Sequence, residues 1–181
     1  TKIDGSNVLE KLGLEKGKYI VVSAHREENI DIKNHFEILS ESLNAVAEKY
    51  QVPVIFSTHP RTKNRIEKNG IQFHPLIKNV PPLGFFDYVN LQKNSYIVLS
   101  DSGTISEESA MMNFPAVSIR TSTERPEAID WGTIVLGGIS KDSMLNSIEI
   151  ARGLALDDES QLPVEYTIKN TASRVIRAIQ S

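Results

Sequence analysis

Continuous apolar runs alternate along this chain with longer segments in which apolar residues recur at helical spacing. Runs without polar alternation are typical of strands buried on both faces, and the helices between them connect parallel strands. We therefore predict strands over residues 19–24, 52–57, 96–100, 115–120 and 133–136, with a short one within 71–77. The predicted helices cover residues 34–50, 60–68, 86–93, 105–113, 124–131, 141–154 and 168–179.

This alternation predicts an α/β fold, a three-layer Rossmann-like domain whose parallel sheet is covered by helices on both faces. The 181 residues suffice for one domain with a hydrophobic core. In such sheets, ligands bind at the carboxyl ends of the strands. The polar segments that follow the predicted strands are therefore where a functional site is expected.

Composition excludes several classes of function. The formal net charge is −3, so no overall field favours nucleic acid. The absence of cysteine excludes disulfides, thiolate zinc sites and cysteine nucleophiles. No apolar run approaches the ~20 residues that span a membrane. We expect a cytoplasmic protein with no membrane or nucleic-acid partner and no metal site.

The segment after the predicted strand 96–100 carries the strongest chemical signal. Ser102, Gly103 and Thr104 are small residues at a predicted helix start, where free backbone N–H groups and peptide dipoles favour phosphate. Glu108 follows Thr104 by four residues on the same helix face, where a carboxylate can accept two hydrogen bonds from a sugar diol. The alternative is ordinary capping by Ser or Thr, with acidic residues that suit the helix dipole.

Two histidines follow other predicted strands. His25 is suited to donate to a phosphate or to transfer a proton near neutral pH, and the alternative is a loop histidine that bonds a backbone carbonyl. His59 precedes the helix over 60–68, and Arg61 lies in its first turn. Both are candidates for anion binding, although a solvated helix face is the commoner explanation of such residues.

Two further segments have polar or aromatic character at predicted strand ends. Arg125 stands before a proline, and its planar guanidinium suits a diphosphate, whereas a surface salt bridge with Glu124 or Glu127 is the alternative. The aromatic segment 84–88, which includes Tyr88, would either stack on a flat base or belong to the core. All of these polar segments follow predicted strands, so we expect them to lie together at the carboxyl edge of the sheet, which we call the rim.

Three motifs resemble, in order and spacing, those of the non-hydrolysing UDP-N-acetylglucosamine 2-epimerases. They are His-Arg-Glu-Glu-Asn at 25–29, Asp-Ser-Gly-Thr-Ile-Ser-Glu-Glu at 101–108 and Glu-Arg-Pro-Glu-Ala at 124–128. The segments 23–31, 57–63 and 84–88 are similar to the branch that makes UDP-N-acetyl-L-fucosamine for bacterial surface polysaccharides. The resemblance runs from about residue 18 to residue 138.

The resemblance implies two Rossmann-like domains in the glycosyltransferase-B arrangement, with the nucleotide sugar in the cleft between them. Residues 1–181 would be a single C-terminal, UDP-binding domain, and an N-terminal domain would be absent from this chain. Residues from about 168 to 181 would form a closing helix that packs back onto that partner domain. Since the family often forms dimers, a homodimer is also implied as a candidate assembly.

Residue roles follow from the matched motifs. The residues implied to lie at the diphosphate are Ser102, Gly103, Thr104, His25 and Arg125. Glu108 would accept the ribose hydroxyls, and Tyr88 would lie near the uracil. Thr104 stands where the family commonly has a second glycine, so its side chain would either add a donor or crowd the phosphate. In the branch that binds a second substrate molecule as a regulator, His59 and Arg61 are candidate regulatory residues.

The resemblance also implies a reaction that uses no cofactor. UDP is eliminated across C1–C2 to give a glycal, and is then re-added with C2 inverted. The family's proton-transferring carboxylates lie on the N-terminal domain, so we name no catalytic base here and expect this chain alone to be inactive. Two alternatives remain, the donor-binding half of a retaining glycosyltransferase and a nucleotide-sugar binding module without chemistry.

Overall fold

The computed structural model describes residues 1–30, 32, 34–120, 126–130, 134–156 and 163–180. The strands β1 to β6 are Ile20–Ser23, Val54–Ser57, Ile77–Val80, Ile97–Ser100, Ala116–Ser118 and Val135–Leu136. The helices α1 to α9 are Val8–Leu12, Glu27–Ile30, His35–Tyr50, Pro60–Asn69, Phe85–Lys93, Ile105–Met112, Pro126–Asp130, Lys141–Leu156 and Thr171–Gln180. A short 3-10 helix covers Val164–Thr167.

The strands form one parallel sheet in the order β3-β2-β1-β4-β5-β6. Ile20 at the start of β1 pairs with Val54 on β2 and with Ile97 on β4, and the register continues without interruption along these strands. The order of connection reverses between β1 and β4, and ligands of such sheets bind outside the carboxyl ends of the strands at this reversal. The predicted Rossmann-like fold class is confirmed.

Both faces of the sheet are buried, as the continuous apolar strands predict. Along β1, Ile20 and Val22 pack into the core beneath α3 and α8, whereas Val21 packs into the core beneath α1, α5 and α6. Leu39 and Leu43 of α3 face the first of these cores at helical spacing. The sheet is therefore a packed base that carries the polar loops at its carboxyl edge.

The prediction of a strand within 71–77 was wrong, because β3 begins only at Ile77. The apolar residues Ile71, Phe73 and Leu76 pack against the core from a loop, so their hydrophobicity reflects burial without strand pairing. β3 is an edge strand whose two middle residues are exposed, and it therefore lacks the continuous apolar run used to predict strands. The short helices α1 and α2 were not predicted either.

Gly137, just after β6, provides a test of the packing. A Cβ atom at this position would lie 2.6 Å from Val117 Cγ1 and 2.8 Å from Ser147 Oγ, well inside van der Waals contact. We expect Gly137→Ala to lower the free energy of unfolding by about 1–3 kcal/mol through overpacking. The measurement is urea denaturation followed by circular dichroism.

The matched control is Gly153→Ala in α8, where a Cβ would meet no atom within 4 Å. Because alanine is the better helix former, this variant should gain about 0.5–1 kcal/mol. Equal effects of the two substitutions would contradict the packing described at Gly137.

Candidate functional site

A buried carboxylate joins the loops that follow β1 and β4. Asp101 comes directly after β4 and is fully shielded from solvent. Its Oδ2 atom accepts hydrogen bonds from the backbone N–H groups of His25 and Arg26, each at 2.9 Å, and from Asn29 Nδ2 at 3.1 Å. Hydrogen bonds to an ionised acceptor are shorter and stronger than neutral ones. Asp101 therefore holds the loop after β1 against the end of β4, at the reversal of strand order.

Asn29 extends this connection to β5. Its Nδ2 atom also donates to the backbone carbonyl of Ile119, at 3.2 Å, just beyond the last residue of β5. Asn29 is itself buried, so the two acceptors are reached without competition from water. The carboxyl ends of β1, β4 and β5 are thus linked through two side chains.

His25 projects from this connection towards solvent. Its Nδ1 atom lies 3.3 Å from Asp101 Oδ1, and about half of the His25 side chain is exposed (51%). The geometry of this pair is outside that of a hydrogen bond, and Oδ1 is buried without a hydrogen-bond partner among the described residues. The contact is therefore electrostatic and not a directed hydrogen bond. Within the part of the chain that the structure describes, His25 donates to no backbone carbonyl, which disfavours the alternative interpretation of this residue.

The turn between β4 and α6 has the side chains expected of a ligand-binding segment. Thr104 occupies the N-cap position of α6 but makes no side-chain capping bond. Its hydroxyl instead donates to Glu108 Oε1 at 2.8 Å and lies 3.0 Å from Ser102 Oγ. Ser102 Oγ accepts from the Thr104 N–H at a long 3.4 Å. Ordinary capping therefore explains this turn poorly, and the predicted shared face of Thr104 and Glu108 is confirmed.

Glu108 has hydrogen-bond partners on both carboxylate oxygens. Oε1 accepts from Thr104, and Oε2 accepts from Gln92 Nε2 of α5 at 3.0 Å. An ionised carboxylate has about four lone-pair sites, so each oxygen keeps capacity for a further donor. The partly exposed Glu108 can therefore accept two hydroxyl groups while its position is held from within the protein.

A cationic side chain lies over the glycine of this turn. A Cβ atom at Gly103 would lie 3.9 Å from one terminal guanidinium nitrogen of Arg26. The Arg26 backbone is fixed by its bond to Asp101. The turn over residues 102–104 thus combines a helix start with a neighbouring guanidinium, and both favour an anion.

A cavity of about 260 Å³ adjoins the turn at the ends of β1, β2 and β3. It is lined by Ser23, His25, Ser57, His59, Pro82, Leu83 and Tyr88. This volume is below the roughly 300–1,000 Å³ of complete small-molecule sites. The cavity therefore suits one part of a larger ligand.

Tyr88 of α5 lines the cavity and interacts electrostatically with Glu108 and Asp101, which flank the turn. Burial raises the pKa of Tyr88 to about 12, with further contributions from the negative charges of Glu108 and Asp101, while a hydrogen bond with Ser23 acts in the opposite direction. The phenol therefore keeps its proton at neutral pH, and its hydroxyl is hydrogen-bonded with Ser23. Phe85 and Phe86, in contrast, are largely exposed on the rim (67% and 46%), so the core interpretation of these two aromatics was wrong.

The structure brings together most of the predicted site residues. Ser102, Gly103 and Thr104 form the turn, Glu108 follows one helical turn later in α6, and His25, His59 and Tyr88 line the adjoining cavity. Arg125 lies outside the described residues. The backbone of Arg61 belongs to α4, but its side chain is also outside the description.

Sequence reasoning missed four residues of this site. Asp101, Arg26 and Asn29 belong to the motifs at 25–29 and 101–108, but these motifs do not predict their roles, because their contacts join segments more than 70 residues apart. Gln92 has no local signal at all, since it is one of several polar residues in α5. Within the described residues, no cluster of three or more His, Cys, Asp or Glu could hold a metal ion, and no helix there is long and apolar enough to cross a membrane.

Comparison with known proteins decides the family. The family model described as UDP-N-acetylglucosamine 2-epimerase matches residues 1–180. The chain belongs to the UDP-N-acetylglucosamine 2-epimerase family. The resemblance stated from the three sequence motifs is therefore confirmed.

Relatives in this family share both sequence and fold. A UDP-N-acetylglucosamine 2-epimerase of Methanococcus maripaludis is 37% identical over 139 residues, which are 73% of this chain and 37% of that protein. The solved epimerase from Rickettsia bellii is 35% identical with a TM-score of 0.81, and the match covers 98% of this chain and 48% of that one. The Methanocaldococcus jannaschii epimerase, solved in complex with UDP-GlcNAc and UDP, is 27% identical with a TM-score of 0.83, covering 98% and 49%.

The chain spans less than half the length of each of these epimerases. These neighbours have the glycosyltransferase-B type of fold, and this chain corresponds to about half of it. The match extends over nearly the whole chain, from before α1 to α9.

Asp101→Ala tests the connection between the strand ends. The substitution leaves two backbone N–H groups without their acceptor and removes one of the two acceptors of Asn29, so we expect the free energy of unfolding to fall by about 3–5 kcal/mol. Asp101→Asn keeps one acceptor oxygen and should lose less. Urea denaturation provides both values.

The matched control is Asp142→Ala, which removes an exposed aspartate from the first turn of α8 and should change stability by about 0.5 kcal/mol or less. An Asp101→Ala variant as stable as this control would show that the buried carboxylate does not hold the loops.

Proposed function

We propose that this chain is the C-terminal, UDP-binding domain of a longer non-hydrolysing UDP-N-acetylhexosamine 2-epimerase. The observation that supports this most directly is the position of the turn over residues 102–104. It lies at the reversal of strand order, beside the Arg26 guanidinium and one helical turn before Glu108. Such a place offers phosphate donors next to a diol acceptor, which is what a nucleoside diphosphate requires.

The diphosphate is assigned to the turn. The N–H group of Gly103 is a donor at the start of α6, whereas the N–H groups of Ser102 and Thr104 bond Ser100 Oγ at 3.1 Å and Ser102 Oγ at 3.4 Å and would exchange these hydroxyl acceptors for the phosphate. His25 and Arg26 supply neighbouring polar or cationic groups. Arg125 is proposed as a further phosphate ligand on the strength of its motif alone. As UDP departs, negative charge grows on its diphosphate, and donors already aimed at that charge stabilise the transition state.

The nucleoside is assigned to the surfaces on either side of Tyr88. Glu108 accepts the ribose hydroxyls, and the cavity bounded by Pro82, Leu83 and Tyr88 receives the uracil. The neutral phenol of Tyr88 and the apolar walls suit a flat base with polar edges.

The reaction is the elimination and re-addition of UDP with inversion at C2 of the sugar. The described residues supply the phosphate side of this chemistry, while the groups that move the C2 proton are assigned to an N-terminal domain outside this chain. His25 is the one proton-transfer candidate named here, because it is half exposed at the rim. Incorporation of deuterium at C2 by the longer protein in heavy water would support epimerisation, and turnover without deuterium at C2 would contradict it.

The longer protein would close over the site through α9. Every described residue of α9 is exposed, and its apolar Val175, Ile176 and Ile179 lie on the surface (51%, 54% and 79% exposed). An amphipathic helix with an uncovered apolar face requires a partner surface. We assign that surface to the N-terminal domain, consistent with a chain that spans less than half of its relatives' length.

Several finer features are proposed from the motifs. The substrate is assigned to the branch that forms UDP-N-acetyl-L-fucosamine for surface polysaccharides, in a cytoplasmic enzyme that forms a homodimer. His59 and Arg61 are proposed to bind a regulatory second nucleotide sugar. His59 lines the same cavity as His25, which would put the regulator beside the substrate.

Binding of UDP to the isolated chain tests the proposed division between two domains. Two or three charge-assisted hydrogen bonds, less the cost of ordering the ligand, correspond to roughly millimolar to tens of micromolar affinity. We expect calorimetry to show weak UDP binding in this range and no epimerisation of UDP-N-acetylglucosamine. Sub-micromolar affinity or measurable turnover by this chain would contradict the assignment of the remaining site to another domain.

Glu108→Ala tests the assignment of the ribose. Loss of a charged acceptor should weaken UDP by about tenfold or more, while inorganic pyrophosphate, which has no ribose, should change less than about twofold. Glu149→Ala is the control, because that carboxylate is bonded by Lys49 and Tyr50 away from the turn. If both ligands weakened equally in Glu108→Ala, this residue would not bind the ribose.

A further inference from the structure

The arrangement around Glu108 contains a buried amide that the fold alone does not explain. Gln92 is almost completely buried (1% exposed) near the end of α5. Its side chain donates to Glu108 Oε2 at 3.0 Å. Because an ionised carboxylate only accepts hydrogen bonds, the amide must present its NH₂ group to Glu108. The amide carbonyl Oε1 then remains buried without a hydrogen-bond partner among the described residues.

A buried carbonyl without a partner destabilises the folded state, and leucine at this position would avoid that cost. Among the described residues, the Gln92 amide donates to Glu108 alone. The Glu108 carboxylate is partly exposed, so water can satisfy it without the amide. The amide therefore contributes less to folding than to the orientation of the carboxylate.

The backbone of Gln92 is well placed for this role. Its carbonyl accepts from the Ser95 N–H at 3.1 Å and from the Ser95 hydroxyl at 2.8 Å, which fixes the last turn of α5. Tyr88 lies four residues earlier, on the same face of the helix. One face of α5 thus presents both the cavity wall and the amide to the turn.

Thr104 restrains the second oxygen of Glu108. Its hydroxyl donates to Oε1 at 2.8 Å from one turn earlier in the chain, and it lies 3.0 Å from Ser102 Oγ. The carboxylate is therefore held from two sides, by α5 and by the turn. A glycine in place of Thr104 would provide no such donor.

We infer that Gln92 and Thr104 are positioning residues, which hold the Glu108 carboxylate so that one remaining lone pair on each oxygen faces the two ribose hydroxyls. This inference rests on the proposed function, in which Glu108 is the ribose ligand. Glu has three rotatable side-chain bonds, and fixing them before binding lowers the ordering cost that the ligand would otherwise meet. The two residues thereby increase selectivity for ribonucleotides over nucleotides that lack a ribose hydroxyl.

The test compares UDP with 2′-deoxy-UDP and with pyrophosphate, by NMR titration of this chain. We expect Gln92→Leu and Thr104→Val each to reduce the preference for UDP over 2′-deoxy-UDP by about threefold or more, which is the loss typical of one hydrogen bond. Pyrophosphate affinity of Gln92→Leu should change less than about twofold. In a Glu108→Ala background, Gln92→Leu should have no further effect on the preference.

Asn90→Leu is the matched control. It replaces another buried amide on α5, whose Nδ2 donates to the Ile3 carbonyl and whose Oδ1 accepts from Asn94, so that its hydrogen bonds lead away from Glu108. Its preference for UDP should equal that of the unmodified chain. Gln92→Met, with a side chain of similar length, provides a second variant if leucine disturbs the fold.

Each outcome has a distinct meaning. An unchanged preference in Gln92→Leu, or a further loss in the Glu108→Ala background, would overturn the positioning role while leaving UDP binding intact. Loss of folded structure in both Gln92→Leu and Gln92→Met, seen by circular dichroism, would show a structural residue and also overturn it. Failure of the unmodified chain to bind UDP would overturn the proposed function itself.

Discussion

The buried carboxylate of Asp101 is the interaction on which the rest of the site depends. Parallel strands end at the same edge of the sheet, but their loops diverge unless something joins them. Asp101 joins the loops after β1 and β4 because its Oδ2 atom accepts three hydrogen bonds, two from backbone N–H groups and one from Asn29. This contact sets the position of His25 and places the Arg26 guanidinium over the turn at Gly103. The cationic and polar groups at the rim are therefore arranged by one anion inside the protein.

The geometry of the site also bears on how charge stabilisation and proton transfer would be distributed between two domains. The described residues concentrate donors and one diol acceptor around residues 102–108, and the adjoining cavity of about 260 Å³ holds only part of a nucleotide sugar. Among the described residues, His25 is the proposed candidate for proton transfer. The exposed apolar face of α9 offers a covering surface for the other half. Charge stabilisation on one domain and proton transfer on another would make catalysis depend on domain closure.

Much of the fold could be predicted from the sequence, because buried parallel strands are continuous apolar runs and their connecting helices show helical spacing. The edge strand β3 escaped prediction because Lys78 and Asn79 at its centre are exposed. Local spacing was also sufficient for the pair of Thr104 and Glu108, one helical turn apart. The hydrogen bonds of Asp101 and of the Gln92 amide join elements that are distant in the sequence, so no local pattern predicts them. Charge and turn chemistry can be read locally, whereas the contacts that hold a site together require the topology.

The most direct test of this account is a crystal structure of this chain soaked with UDP. The account predicts that the diphosphate binds at the turn over residues 102–104 beneath Arg26, that the ribose hydroxyls reach Glu108, and that the bonds of Asp101 remain unchanged. A rim that stays empty at saturating UDP, or UDP bound elsewhere on the sheet, would contradict it.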